Sequence, residues 1–266
     1  MKKTSLGREI PDTYADQYGV FAGEKARRLE FKRAAAHITQ IFPGEDKVLG
    51  SIHEAIVKSG LQDGMTISFH HHFREGDKVM NMVLAEIAAM GFKNLSLAAS
   101  SIANVHAPLI DYIKQGVITQ VTSSGLRDKV GAAISHGIMA NPVVIRSHGG
   151  RARAIEQGDI HIDVAFLGAP SSDCYGNANG SHGNATCGSI GYAIVDAQYA
   201  DKVIIITDNL VAYPNTPISI PQNNVDYVVV VDSIGDPDGI GKGATRFTTN
   251  PKELLIAQNG ANAIIA

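Results

Sequence analysis

Residues 65–100 read MTISFHHHFREGDKVMNMVLAEIAAMGFKNLSLAAS. The apolar run at 65–69 is broken by three histidines and a polar turn. The pattern then takes helical spacing, with Val79, Met82, Val83, Ile87 and Met90 on one face, and returns to a strand pattern at 94–100. A strand, a helix and a second strand in that order predict a crossover between parallel strands. Asp77, near the start of the helix, suits the positive end of its dipole.

The same alternation extends in both directions. Upstream, GSIHEAIVKSGLQDG (50–64) predicts a short helix over 51–59, with Ser51 and Glu54 as a capping box and Gly60 closing it. Downstream, strand patterns at 117–124, 142–147, 162–170, 202–208 and 225–234 alternate with helical patterns at 102–116, 125–139 and 150–158. Buried β-branched runs between helices predict an α/β fold, a mainly parallel sheet with helices on both faces. Residues 1–22 lack periodicity and read as an irregular arm; 24–40 read as a helix, and 23–266 as a single domain without a linker or repeat. Pro214, Pro217 and Pro221 mark an extended crossing segment.

Composition bounds the function. The 266 residues are 44% apolar and 18% charged, with a formal net charge of -3 and a pI near 6.3. That balance argues against bulk nucleic-acid binding. The local run EKARRLEFKR (24–33) reads as a solvated helix face or as a dock for an acidic partner. Two cysteines make no disulfide framework. The start MKKTSLGREIPD has no apolar stretch after its lysines, and no apolar run reaches the roughly 18–20 residues that span a bilayer. A cytoplasmic protein with reduced thiols, away from membranes, is expected.

In such sheets, ligands bind at the carboxyl ends of the strands. Three loops fall there: HHHFREGD (70–77), RSHGGRAR (146–153) and GAPSSDCYGNANGSHGNATCGS (168–189). The last has no periodicity over 171–188, so it is expected to be functional or mobile. A metal at the histidines fits poorly, because alternation on a strand puts only His70 and His72 on one face. Cys174, His182 and Cys187 lack a CxxC pair and a fourth ligand. DGIGKGATRF (238–247) imitates a phosphate loop, but Gly243 follows Lys242 where Ser or Thr is needed. Ser100, Ser101, Ser123 and Ser124 sit in no nucleophile elbow and read as loop hydroxyls. The remaining reading is anion handling. His70, His71, His72 and Arg74 meet a helix start near Gly76, where backbone N–H groups bind carboxylates or an oxyanion. The competing reading is that Arg74 pairs with Glu75 or Asp77.

Three stretches carry a resemblance: LQDGMTISFHHHFREGDKVMN, IRSHGGRARAIEQGDIHIDVAFLGAPSSDCYGNANG and DSIGDPDGIGKGATRF. Together they resemble the alpha subunit of citrate lyase across essentially the whole chain. The second stretch also resembles the wider acyl-CoA:carboxylate CoA-transferases, in which a glycine-rich loop replaces HHHFREGD. The resemblance implies a CoA-transferase-like three-layer domain. It implies exchange of acetyl for citryl on a thioester arm, by carboxylate attack through an anhydride-like intermediate, giving citryl-carrier protein and acetate. The arm would be a phosphoribosyl-dephospho-CoA group on an acyl carrier protein (the gamma subunit), with no cofactor bound tightly to this chain. Citrate, acetyl-CoA or acetyl-carrier protein, and a citryl-lyase beta subunit are the implied partners in a hetero-oligomer. His70, His71, His72, Arg74 and Gly76 would bind substrate, with Arg74 as main carboxylate contact, the histidines as donors and the turn at Gly76 as an oxyanion hole. Asp173, Asn177 and Asn179 would order the site or touch the acyl arm. The family chain is about twice as long, so the sequence resembles its amino-terminal half, expected to be inactive alone. No catalytic glutamate is assigned. The alternatives are a non-catalytic module that docks the carrier protein or other subunits, another acyl-CoA:carboxylate CoA-transferase, and a sugar-phosphate isomerase, for which no phosphate loop or acid–base pair is found.

Overall fold

The computed structural model describes residues 1–3, 8–18, 38–39, 41, 44–241 and 248–265. The basic run 24–33 and residues 242–247 lie outside them, as does nearly all of the helix expected over 24–40; Ile38 and Thr39 are in non-helical backbone.

Eight parallel strands form the main sheet: β1 (Val48–Leu49), β2 (Thr66–Phe69), β3 (Leu95–Ala99), β4 (Ile118–Ser123), β5 (Val144–Ile145), β6 (Val164–Gly168), β7 (Lys202–Thr207) and β8 (Tyr227–Val230). Their spatial order is β1-β8-β7-β6-β2-β3-β4-β5, with every pairing parallel. From β2 the chain winds outward through β3, β4 and β5. It then returns to β6 on the other side of β2 and winds the opposite way through β7 and β8. The seam between β2 and β6 is therefore the topological switch point, the place where open α/β sheets form a ligand crevice.

Side-chain alternation divides the core by face. Ile67, Phe69, Leu97, Phe166, Ile204, Ile206 and Val229 point to one side, where they meet α1 (Ile52–Ser59), α2 (Val79–Ala89), α3 (Leu109–Lys114) and α4 (Asp128–Ser135). Phe69 and Phe166 stack across the switch point with centroids 5.7 Å apart. Ala98, Ala165, Leu167, Val203, Ile205 and Val228 face the other side. There α5 (His148–Glu156) and α6 (Ala193–Tyr199) pack through Ala154, Ala193 and Ala197, small residues that permit close approach.

The helix ends follow their local chemistry. Ser51 Oγ accepts the Glu54 N–H at 3.1 Å, and Gly60 closes α1 with φ 71°. Asp77 Oδ1 accepts the Val79 N–H at 2.9 Å, so α2 begins at Val79, after a 3-10 turn over Arg74–Gly76. The face of α2 is rotated from the expected one: Met80 and Leu84 join Val79, Val83 and Ile87 in the core, while Met82 is half-buried.

Three elements differ from the sequence reading. The arm carries a two-residue ribbon and a helix, Asp12–Tyr18. The loop 171–188 is largely fixed: Ser171–Asp173 pairs with Ala178–Asn179 and with Leu210–Val211 in a small second sheet. The carboxyl-terminal helix, Pro251–Ile265, buries none of its residues.

One ion pair ties the second face together. Arg151 of α5 is 1% exposed and grips Asp196 of α6, itself 0% exposed, through two bonds of 2.7 Å. Its guanidinium also donates to the Ala98 carbonyl of β3 at 2.9 Å, and Ser68 of β2 donates to Asp196 at 2.9 Å. Removing one partner of such a pair strands a charge in the core. Arg151→Met should lower stability by about 3–5 kcal/mol in urea unfolding, and Arg151→Met/Asp196→Leu should recover much of that loss. A single variant no less stable than wild type would refute the assignment.

Candidate active site

β2 delivers His70, His71 and His72 to the carboxyl edge of the sheet at the switch point. His72 Nε2 lies 2.8 Å from the Gly168 carbonyl at the end of β6, and its Nδ1 lies 2.8 Å from His70 Nδ1. The loops that leave the two central strands are thereby joined. Phe73 lies against Gly168, where an added Cβ would meet its ring at 2.3 Å, so this position has no room for a side chain. His71 accepts support from the next strand: Ser100 Oγ receives its backbone N–H at 3.0 Å and lies 2.6 Å from its Nδ1.

Two residues from the far face complete the cluster. His148, first residue of α5, packs edge-on to His71 at 5.2 Å and lies 5.8 Å from Tyr192. Tyr192 in turn lies 6.4 Å from the His70 ring. The loop RSHGGRAR thus joins HHHFREGD because α5 is held over β2 and β3 by Arg151.

The electrostatics favour neutral imidazoles. Burial holds His70 well below the usual imidazole range, reinforced by His72, His71, Arg151 and His148. Burial likewise lowers His71 to about 4, with His148, His72, Arg127 and Arg151 adding to the effect. Burial also lowers His72, opposed by the Gly168 carbonyl and by Asp77.

Arg74 stands at the rim. Its backbone is left-handed, φ 51°, uncommon for a residue with a side chain and a form of strain that gathers at functional sites. Its neighbours are occupied elsewhere. Glu75 accepts the backbone N–H groups of Asn104 and Val105 at 3.3 and 3.0 Å, and Asp77 bonds His106 at 2.8 Å in a buried pair. Among the described residues, the exposed Arg74 guanidinium makes no hydrogen bond or ion pair, contrary to the internal pairing that competed in the sequence reading.

The remaining expected residues fall as follows. Gly76 is a packing residue: its N–H donates to the Phe73 carbonyl at 2.9 Å, and a Cβ would meet the Asp236 carbonyl at 2.3 Å. The N–H of Gly76 itself, one of the oxyanion donors expected at this turn, is thus already engaged. Asp173, Asn177 and Asn179 are 0%, 3% and 0% exposed. Asp173 accepts from Asn177 Nδ2 at 2.8 Å and from the Asn215 N–H at 2.9 Å, and Asn177 and Asn179 bond Gln222 and Asn215. They form an internal network that holds the small sheet. Cys187, in contrast, feels the Arg74 charge, although burial dominates and pushes its thiol up to about 11. Both cysteines are free. His161, Asp163 and Asp201 form the one grouping of potential metal ligands among the described residues, at the opposite, amino-terminal edge of the sheet. No helix among the described residues is long and apolar enough to cross a membrane.

His148, Tyr192, Arg151 and Asp196 were not singled out by the sequence reading. His148 had a signal, since it follows a strand in one of the three edge loops; Tyr192 had none.

A parallel sheet wound in both directions from a central switch point is the fold of acyl-CoA transferases. A thioester complex of such an enzyme from Escherichia coli O157:H7 superposes with a TM-score of 0.57 at 16% identity, covering 84% of this chain and 56% of that one. The family model for citrate lyase, alpha subunit (CitF), matches residues 45–266, and the chain belongs to that family. The citrate lyase alpha chain of Haemophilus influenzae is 56% identical over 251 residues, 91% of this chain and 50% of that protein. A structure described as the alpha subunit of citrate lyase from Streptococcus mutans, in complex with citrate, matches at 68% identity and a TM-score of 0.85, covering 98% of this chain and 51% of that one. The chain spans about half the length of the curated relatives it matches.

The depressed histidines link the site to stability. Between the usual 6.5 and about 4, the unfolded chain binds protons that the folded His71 refuses, so stability rises with pH across that window. The contribution is fully present above about pH 6.5 and is lost as pH falls towards 4. The urea midpoint should fall less between pH 7 and pH 5 in His71→Asn than in wild type. Equal pH slopes would contradict the neutral assignment.

Proposed function

We propose that this chain forms the citrate-handling wall of a citrate:acetyl-carrier-protein transferase. The observation that carries the reading is the guanidinium of Arg74, unpaired among the described residues, on a strained backbone beside neutral histidines at the switch point. Citrate brings three carboxylates, and a planar guanidinium can hold one by two parallel bonds. His70 and His71, neutral and desolvated, supply polar contacts that do not repel Arg74, and His72, with both ring nitrogens engaged, serves substrate binding by positioning His70. Asp173, Asn177 and Asn179 order the loop that leaves β6, and Gly76 fixes the turn beneath Arg74.

The acyl donor is an acetyl thioester on the CoA-like arm of a gamma-subunit carrier protein, or acetyl-CoA itself, and the products are citryl thioester and acetate. A beta subunit would then cleave the citryl thioester, within a cytoplasmic hetero-oligomer. The chain itself holds no cofactor tightly. The family membership and the citrate carried by the Streptococcus mutans protein support this substrate.

Acetate release from acetyl-carrier protein and citrate, catalysed by the full-length alpha chain, tests the activity; binding of both without release would make the chain a docking module. Arg74→Ala should weaken citrate use roughly 10- to 150-fold, the loss expected for a hydrogen bond to a charged group. Arg74→Lys should restore only part, because it lacks the planar fork. Unchanged citrate kinetics in Arg74→Ala would overturn the assignment.

A further inference from the structure

His70 is 8% exposed, and its Nε2 is buried with no hydrogen-bond partner among the described residues. The bonds around it fix which of its nitrogens carries the proton. The Gly168 carbonyl can only accept, so His72 Nε2, 2.8 Å away, is the protonated nitrogen of that ring. Burial keeps His72 from taking a second proton, so its Nδ1 is a bare lone pair. His70 Nδ1 lies 2.8 Å from that lone pair and must therefore donate to it. A neutral His70 with its proton on Nδ1 has none on Nε2. The backbone carbonyl of β6 thus sets the tautomer of a residue on β2, through one intervening ring.

We propose that His70 Nε2 is an acceptor for the hydroxyl of a hydroxy-carboxylate, and that it lets the site prefer citrate over the same tricarboxylate lacking the hydroxyl. This rests on the citrate reading above and changes one part of the expectation from sequence, which made every histidine a donor. A buried acceptor without a partner is unfavourable, and a ligand that supplies an O–H removes that cost. A ligand that supplies only carboxylates does not, because carboxylate oxygens and a bare imidazole nitrogen repel. His72 acts through His70 and is a positioning residue. His71, His72 and Tyr192 surround His70 with rings, at 5.0, 5.0 and 6.4 Å.

Two measurements on the full-length protein test this. Nitrogen chemical shifts of 15N-labelled histidine should show His70 protonated on Nδ1 and bare on Nε2 at neutral pH. A proton on Nε2 overturns the inference without touching the citrate reading. Calorimetric titration with citrate and with propane-1,2,3-tricarboxylate should show citrate binding about 10- to 100-fold tighter. His70→Asn keeps a donor towards His72 but has no acceptor at the Nε2 position, and it should abolish most of that preference. His70→Gln places an amide oxygen near Nε2 and should retain more of it. Equal binding of the two ligands by wild type, or an undiminished preference in His70→Asn, would mean that only water meets Nε2 and would refute the proposal. Failure of both ligands to bind would instead sink the citrate reading itself.

Discussion

The Arg151–Asp196 pair is the constraint on which the rest of the structure depends. Both side chains are in the core, and between them they reach α5, α6, β2 and β3. Burying two charges is expensive, and an apolar pair of the same volume would hold two helices as well. What an apolar pair would not do is fix direction. The planar fork of Arg151 sets the position of α5 over the carboxyl ends of β2 and β3, and with it the position of His148. The site is therefore assembled from a distance: the ring beside His71 is placed by a salt bridge under the helix that carries it.

Much of this architecture was legible in the sequence. The strands could be read because they are short β-branched runs of four to six residues between helical patterns, as at 66–69, 118–123 and 202–207. The ligand edge could be read because strand-to-helix turns in a parallel sheet lie on one side. The switch point could not, since it depends on β6 returning to pair with β2. α6 escaped because its sequence, AIVDAQY, buries an aspartate where the helical pattern calls for an apolar residue. Nothing in GRARAIEQG sets Arg151 apart from Arg153; its partner lies 45 residues further on. The stretch 171–188 looked irregular because its strands are two or three residues long, too short to show a period of two.

The histidine triplet divides in the same way. Its place at the sheet edge follows from the strand before it and the helix after it. Its chemistry does not, because an imidazole is donor or acceptor according to what each nitrogen meets. The group that decides for His72 and His70 is a carbonyl 96 residues away in sequence. Burial adds the second condition, since a protonated His72 would leave no lone pair to receive His70.

The left-handed backbone at Arg74 has a consequence for how this region changes over evolutionary time. Glycine or asparagine would sit there with less strain, by roughly 1 kcal/mol or more, so drift towards a sturdier fold is always open at this position. Each such step removes the guanidinium. On the role proposed above for Arg74, thermal robustness and substrate capture pull the same codon in opposite directions. A screen that rewards heat resistance alone would be expected to erode this loop early, while one that rewards turnover would keep the awkward residue in place.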